Sequence, residues 1–390
     1  MAYDFDKITE RRGTYSLKWD VKDGELPMWV ADMDFPTAPA VRRRIEERAA
    51  HGVFGYNVVP DEWYASVTHW WAERHGLKMR RDSLCFCTGV VPAVSCLVKR
   101  LTNIGDDVVT LTPVYDIFFH SIENAGRHVV ECPLAYDGGA YTLDLARLES
   151  ALSRPNAALL LLCNPHNPTG NIWSAEELRR IGSMCAARGV PVISDEIHCD
   201  LIDPGYEYTP FAAASEECAR ISVTCVAASK AFNLAGLQSA AVYAENERLF
   251  NVAVRGLNSD ELAEPNTFAA IATAAAFSEG GEWLDELRAY LAENKRMARE
   301  YIAQNIPSVR PVLSRATYLM WLDVGDITDD SRGLADFIRK NTGLYLSEGG
   351  QYRGNGNKFL RLNAGCPASV LADGLNRLRL GIDAYSEKAE

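Results

Sequence analysis

The segment from residue 157 to residue 194 constrains the fold more than any other part of the chain. Ala157–Cys163 is an uninterrupted apolar run, and the loop of residues 164–170 that follows is too rich in asparagine, proline and glycine to continue as a strand. Ser174 and Glu177 then form the capping-box pattern of a helix start, and residues 190–194 supply a second apolar strand. This order of strand, loop, capped helix and strand makes a βαβ unit, which predicts an α/β fold with a largely parallel sheet.

A single lysine follows the apolar strand pattern of residues 221–227, in a turn made of small residues. Burial disfavours the charged form of a lysine amine, so Lys230 is a candidate nucleophile or Schiff-base partner near neutral pH. Taken alone, the stretch also fits a surface lysine at the end of a strand. Asn167 and Asp195 likewise lie just beyond strand patterns, and the carboxyl ends of parallel strands meet at one edge of a sheet. We therefore expect these three side chains to share a site.

Two further strand patterns end at the same predicted edge. Residues 84–94 are typical of a strand, a glycine turn and a helix, with Pro92 in the first helical turn, where its missing N–H costs nothing. The free amides that follow Gly89 form a natural cradle for a phosphate, although this arrangement is common in α/β proteins. Residues 108–115 predict another buried strand, which places Tyr115 at its carboxyl end.

Two residues outside these strands are candidates for contacts with an anion, and each has a simpler alternative. Gly55 permits a tight bend that presents Tyr56, whose hydroxyl could donate to an anion or could belong to an ordinary packed tyrosine. In the predicted strand Phe359–Asn363, Arg361 points to the opposite face from its leucine neighbours. An inward guanidinium would grip both oxygens of a carboxylate, whereas an outward one would be a surface arginine.

Composition and charge narrow the classes of function. The net charge of -12 is spread without a basic stripe, so we expect no nucleic-acid surface. The first residues are polar and no apolar run approaches the ~20 residues of a bilayer span, so we expect a cytoplasmic protein without membrane contact. Ten cysteines without a CxxC pair predict buried reduced thiols and no metal site. No G-x-G-x-x-G joins the first strand to its helix, which disfavours a nicotinamide-binding Rossmann protein.

Together the motifs resemble those of the fold-type I enzymes that use pyridoxal 5'-phosphate (PLP), and most closely the MalY/PatB-like branch of cystathionine β-lyases and C–S lyases. The order NPxNPTG, then DE, then SK is the most specific part of the match. The motifs run through nearly the whole chain: WVADMDF, FGYN, TGVVPAV, TPVY, NPHNPTG, SDEIHCDL, SKAFNLAGLQ, WLDELRAYL and FLRLN. The resemblance implies a large PLP-binding domain at residues 50–282, with a mostly parallel sheet, and a smaller α/β domain built from residues 1–49 and 283–390.

The resemblance also implies a role for each candidate residue. Lys230 would form the Schiff base with PLP, Asp195 would keep the pyridine nitrogen protonated, and Tyr115 would stack on the ring. Further cofactor contacts would come from Gly89, Val90, Val91, Asn167, His198 and Ser229. Substrate contacts would come from Arg361, which would hold the α-carboxylate, and from Asn167 and Ala31. Tyr56 would reach the phosphate in the neighbouring subunit of a homodimer with shared active sites.

The implied reaction is β-elimination from S-substituted L-cysteines such as L-cystathionine, giving pyruvate, ammonia and a thiol. Gln238, where aminotransferases usually have a phosphate-binding arginine, and His198, where they commonly have tyrosine, favour the lyase branch. Transamination between an amino acid and a 2-oxo acid is the alternative reaction.

Other positions depart from the lyase branch itself. Asp116 stands where proline is usual, and Tyr352 and Arg353 replace Phe-Gly near the expected pocket. The sequence therefore does not identify which thioether is the substrate. A regulatory binding role through a surface patch is a further possibility beside catalysis.

Overall fold

The computed structural model describes residues 2–389 as an α/β protein. Its strands are β1 Leu26–Pro27, β2 Leu84–Cys87, β3 Asp107–Thr112, β4 His128–Pro133, β5 Ala135–Tyr136, β6 Tyr141–Thr142, β7 Ala157–Cys163, β8 Val192–Asp195, β9 Ser222–Val226, β10 Ala240–Tyr243, β11 Arg310–Pro311, β12 Leu319–Asp323, β13 Leu344–Tyr345, β14 Ser347–Glu348 and β15 Phe359–Asn363. Its helices are α1 Pro39–His51, α2 Asp61–His75, α3 Val90–Leu101, α4 Ile117–Glu123, α5 Leu145–Leu152, α6 Ala175–Ala186, α7 Phe211–Ala214, α8 Glu216–Ile221, α9 Glu247–Ser259, α10 Ala269–Glu279, α11 Gly281–Asn305, α12 Ser331–Thr342 and α13 Ala368–Ala389.

A seven-stranded sheet forms the centre of the molecule, in the order β2-β10-β9-β8-β7-β3-β4. The strands β9, β8, β7, β3 and β4 run parallel to one another. Strand β10 runs antiparallel to both of its neighbours, β2 and β9. The prediction of an α/β fold with a largely parallel sheet is therefore confirmed, and the carboxyl ends of β2, β3, β7, β8 and β9 meet at one edge.

The βαβ unit predicted from residues 157–194 is present as β7, α6 and β8. Ser174 precedes α6, and its hydroxyl accepts the Glu177 N–H at 3.2 Å. The Glu177 carboxylate accepts the Ser174 N–H in return at 2.8 Å, so the capping box is complete. The helix connects two strands that are parallel neighbours in the sheet and carries the chain back to the start of β8.

Apolar layers cover both faces of the central sheet, which explains the uninterrupted apolar runs in the sequence. In β7, Leu159 and Leu161 belong to one buried cluster, whereas Leu160 and Leu162 belong to another. Successive side chains of a strand point to opposite faces, so a strand buried on both sides needs apolar residues at every position. The strand ends, where polar residues appear, are therefore the natural place for a site.

A second sheet, in the order β11-β12-β15-β14, is antiparallel and comes from the C-terminal third of the chain. Strand β1, near the N-terminus, pairs in parallel with β13, so both ends of the chain meet in this part of the molecule. The predicted domain boundaries at residues 49/50 and 282/283 fall inside α1 and α11. Because continuous helices cross both positions, the division into two domains stays a prediction.

All ten cysteines are free thiols, as the sequence predicted, and only Cys85 is not fully buried. Buried thiols of this kind act as small apolar side chains in the core. No helix within residues 2–389 is both long and apolar enough to cross a membrane.

Candidate active site

A cavity of about 240 Å³ lies at the edge where the carboxyl ends of the parallel strands meet. Five of these strands supply its walls directly or through the turns that follow them, as the predicted topology requires. Ten of the twelve predicted site residues line the cavity: Ala31, Gly89, Val90, Val91, Tyr115, Asn167, Asp195, His198, Ser229 and Lys230. The other two, Arg361 and Tyr56, lie outside its lining.

The amine of Lys230 is enclosed at the wall of the cavity, where Nζ donates to the carbonyl oxygen of Ala31 at 2.7 Å. Burial and, to a smaller extent, the Arg361 cation lower the pKa of the Lys230 amine to about 8. The carboxylates of Asp32 and Asp195 act in the opposite direction. At neutral pH the uncharged fraction of this amine is therefore roughly two orders of magnitude larger than that of an exposed lysine. Lys230 is thus available as a nucleophile and as a base.

Asp195 ends β8 and is almost completely buried. Burial raises the pKa of its carboxyl to about 7, although the Ile197 N–H, 3.1 Å from Oδ1, partly stabilises the charged form. A buried carboxylate of this kind favours a cationic partner, because the cation restores the stabilisation that water would have given. Asp195 is therefore suited to bind and stabilise a protonated ring nitrogen.

His198 lies one turn beyond Asp195 and also borders the cavity. Burial lowers the pKa of its imidazole to about 3, and the cations of Lys230 and Arg361 add to this effect. The ring is therefore neutral at physiological pH. Its Nδ1 has no hydrogen-bond partner within residues 2–389, so the ring keeps one hydrogen-bonding position for a ligand.

The start of α3 presents main-chain amides to the cavity. Gly89 precedes the helix, and Val90 and Val91 begin its first turn. Among the residues that the structure describes, no side chain caps this helix start, so its first amides remain free to bind an anion. The helix dipole favours negative charge at the same point, and Ser229 adds a hydroxyl to the cavity.

Arg361 is buried beside the cavity and faces inward, which was one of the two alternatives. Its Nη1 donates to Asn167 Oδ1 at 3.3 Å and its Nη2 to the carbonyl of Trp29 at 2.7 Å. The guanidinium carbon lies 5.2 Å from the centre of the Tyr352 ring, within the range of a cation–π contact. The Nε–H has no partner anywhere in residues 2–389, so it retains a hydrogen bond for an incoming carboxylate.

The two tyrosines that the sequence singled out occupy very different places. Tyr115 borders the cavity just beyond β3, and its N–H donates to the carbonyl of Asn167 at 3.1 Å. Burial, followed by the Asp116 carboxylate, raises the pKa of the Tyr115 hydroxyl, so this hydroxyl stays protonated. Tyr56 is fully exposed and does not reach the cavity of its own chain.

Several cavity residues were absent from the predicted set: Thr88, Pro92, Cys163, Ile197, Ala235, Gln238 and Ser239. Most of them stand close in sequence to a predicted site residue, and that proximity was the available signal; Gln238 had the further signal that it occupies the position of a phosphate-binding arginine in aminotransferases. Tyr318 gave no such signal. Its hydroxyl donates to the carbonyl of Ala31 at 2.9 Å, and 287 residues separate the two partners in the sequence.

Comparison with known proteins agrees with this arrangement. A family model described as aminotransferase class I and II matches residues 27–378. The chain therefore belongs to the class I and II aminotransferase family.

Particular relatives are similar over almost their full lengths. Cystathionine beta-lyase PatB of Bacillus subtilis (strain 168) is 42% identical over 386 residues, which cover 97% of this chain and 100% of PatB. Protein MalY of Escherichia coli (strain K12) is 33% identical over 382 residues, which cover 96% of this chain and 97% of MalY. The crystal structure of cystalysin from Treponema denticola, which contains a PLP cofactor, matches with a TM-score of 0.95 and 32% identity, covering 98% of this chain and 100% of cystalysin. The resemblance to the MalY/PatB-like branch and the fold-type I architecture are thus confirmed.

Proposed function

We propose that this protein is a PLP-dependent carbon–sulfur lyase that performs β-elimination on S-substituted L-cysteines such as L-cystathionine. The products are pyruvate, ammonia and a thiol. The observation that carries the proposal is the enclosed amine of Lys230, with its pKa lowered to about 8, in one cavity with the buried carboxyl of Asp195. The similarity to PatB and MalY over nearly the whole chain supports the lyase assignment.

The residues of the cavity fit PLP at each of its chemical groups. Lys230 would bond to the aldehyde carbon, and Asp195 would hold the proton on the pyridine nitrogen. The amides at the start of α3 and the Ser229 hydroxyl would bind the phosphate, because free amides at a helix start favour such an anion. Asn167 would donate to the 3-oxygen of the ring, and Tyr115 would pack on the ring face. When bound, PLP withdraws electrons from the Cα of an attached amino acid and so acidifies its proton.

The substrate amine would replace Lys230 on the aldehyde carbon, and the Lys230 amine that this exchange frees would act as the base. Its neutral amine takes the Cα proton, and the C–S bond breaks with its electron pair leaving on sulfur as the thiolate. The aminoacrylate that remains is released and reacts with water to give pyruvate and ammonia. Arg361 would bind the substrate α-carboxylate and so fix the Cα–H bond within reach of the Lys230 amine.

We expect sustained elimination when PLP-loaded protein is mixed with L-cystathionine and no oxo acid is present. Pyruvate and free thiol should both accumulate over many turnovers, because elimination regenerates the enzyme in each cycle. The Lys230→Ala variant is the matched control, and its rate should fall by orders of magnitude while cofactor remains bound noncovalently. A single stoichiometric conversion of the cofactor to its amine form, resumed only on addition of an oxo acid, would instead establish transamination.

We expect the Arg361→Ala variant to raise KM for the amino acid about 10- to 100-fold, with a smaller change in kcat. A carboxylate clamp contributes equally to the ground state and the transition state, so its loss appears mainly in KM. Steady-state kinetics with L-cystathionine provide the measurement. Arg296→Ala is the control, because Arg296 is an exposed arginine whose ion-pair partners among residues 2–389 are Glu293 and Glu300 on its own helix. An unchanged KM in Arg361→Ala would assign Arg361 a structural role.

We further propose that the protein is a homodimer with shared active sites. An apolar segment is exposed on the single chain, and Val53, Phe54, Tyr56 and Val58 are all more than half exposed. Such a cluster favours burial against another surface. A second copy of the chain, as the resemblance implies, would bring Tyr56 to the phosphate in its partner's cavity.

Mixed dimers test the shared site. A dimer of one Lys230→Ala chain and one Tyr56→Ala chain contains one complete site if Tyr56 acts in the partner's cavity, and none if it acts in its own. We therefore expect doubly tagged, purified mixed dimers to recover about half of the wild-type activity. Homodimers of either variant are the controls and should remain inactive or weakly active. A mixed dimer no more active than the homodimers would contradict the shared site.

We also propose a cytoplasmic location. The ten free cysteines support it, because a reducing compartment maintains unpaired thiols. Recovery of the native protein from the culture supernatant rather than from cells would contradict this location.

A further inference from the structure

The carbonyl oxygen of Ala31 accepts hydrogen bonds from two side chains at the wall of the cavity. Lys230 Nζ donates to it at 2.7 Å, and the hydroxyl of Tyr318 donates at 2.9 Å. A carbonyl oxygen has two lone pairs, so these two donors fill its hydrogen-bonding capacity. The hydroxyl of Tyr318 is therefore held against the same atom as the amine that we propose as the base.

The position of Tyr318 is maintained by an unusual backbone conformation. The preceding residue, Thr317, has φ of 67°, a left-handed conformation that β-branched residues rarely adopt. The Thr317 N–H donates to the carbonyl of Leu201 at 2.7 Å, and its hydroxyl accepts the Leu319 N–H at 3.0 Å. Neighbours on both sides therefore hold the strained residue, and strain of this kind concentrates at functional sites.

The segment that carries the Ala31 carbonyl does not need Tyr318 to stay in place. The side-chain amide of Asn363 donates to the carbonyls on either side of Ala31, those of Val30 and Asp32, at 2.6 Å each. These two bonds already fix the backbone. The hydrogen bond from the Tyr318 hydroxyl therefore acts mainly on the Ala31 carbonyl oxygen and on Lys230 Nζ, which donates to the same oxygen.

We propose that Tyr318 is a positioning residue that acts on Lys230 through the Ala31 carbonyl and favours the neutral form of the amine. The inference rests on the proposed role of Lys230 as the base. An ammonium gains about twice as much as a neutral donor from a carbonyl acceptor. The Tyr318 hydroxyl occupies part of the hydrogen-bonding capacity of that acceptor, so it disfavours the ammonium. The neutral amine donates one N–H to Ala31 and keeps its lone pair for the Cα proton.

Other ionisable groups around Lys230 stay in place when the Tyr318 hydroxyl is removed. The side chains that face the amine come from separate elements: Arg361 on β15, Asp195 at the end of β8, His198 after it, and Asp32 in the N-terminal segment. Arg361 disfavours the ammonium, whereas the two carboxylates favour it. A variant that lacks only the hydroxyl therefore isolates the contribution of Tyr318.

The test is the pH dependence with which Lys230 captures PLP. Cofactor is removed from the loaded protein, and the protein is then exposed briefly to PLP at a series of pH values. Borohydride fixes the bond formed, and mass spectrometry counts the labelled Lys230 peptide. We expect Tyr318→Phe to move the midpoint of capture upward by about half to one pH unit. Below the midpoint, the neutral fraction of the amine should fall about three- to tenfold.

Two controls separate this effect from general damage. Tyr243→Phe removes another buried tyrosine hydroxyl, which donates to Glu245 Oε2 at 2.6 Å and lies outside the cavity, so the midpoint should not move. Asn363→Ser loosens the segment around Ala31 but keeps the Tyr318 hydroxyl, so it should lower stability and move the midpoint much less than Tyr318→Phe does. Full reloading with PLP confirms the fold of each variant.

An unchanged or lowered midpoint in Tyr318→Phe would overturn the inference, and so would an equal upward shift in Asn363→Ser. If Tyr318→Phe does not reload with PLP, Tyr318→Met takes its place, because methionine also lacks the hydroxyl and fills space flexibly. For Tyr318→Met too, an unchanged or lowered midpoint, or an equal upward shift in Asn363→Ser, would overturn the inference. Failure of the wild-type protein to eliminate would overturn the proposed function and leave this test valid, because capture of PLP needs no turnover.

Discussion

Removal of the Lys230 amine from water is the interaction on which the rest of the site depends. An enclosed ammonium is costly, so the pKa of the amine falls to about 8 and the group becomes reactive near neutral pH. The same enclosure requires a hydrogen-bond acceptor inside the protein, and the Ala31 carbonyl supplies it. A segment near the N-terminus is thereby bound to a strand end of the central sheet, across 199 residues of sequence. Reactivity and long-range structure follow from one partly buried group.

The segment around Ala31 shows how the second sheet contributes to the site of the first. It has no regular secondary structure, so its carbonyls need partners from elsewhere. Arg361 and Asn363 stand two positions apart on β15 and therefore share a face of the strand, from which they bind the carbonyls of Trp29, Val30 and Asp32. The proposed carboxylate clamp and the proposed base are consequently parts of one hydrogen-bonded wall.

The parts of the site that local patterns control were predictable from the sequence. The capping box at Ser174 and the apolar run of β7 defined a βαβ unit, and parallel strands bring the residues after their carboxyl ends together. Lys230, Asp195 and Asn167 were therefore expected in one cavity, and all three line it. The roles of these residues, by contrast, came from the resemblance, since position alone does not tell a cofactor contact from a neighbouring side chain.

The remaining features depend on contacts between distant parts of the chain. The alternation along β15 separated Arg361 from its leucine neighbours, but both faces of that strand are buried, so alternation alone did not tell inward from outward. The antiparallel direction of β10 is likewise set by its pairing with β2 and β9. Tyr318 carries no motif, and its importance appears only when its hydroxyl is seen on the oxygen that Lys230 also binds.

The most direct test of this account is borohydride reduction of the PLP-loaded wild-type protein, followed by mass spectrometry of its peptides. Reduction makes the bond between the cofactor and its lysine permanent, so the label identifies that lysine without reference to any substrate. The account predicts one pyridoxyl group per chain, carried by Lys230. A label on any other lysine, or loss of all cofactor on denaturation after reduction, would contradict it.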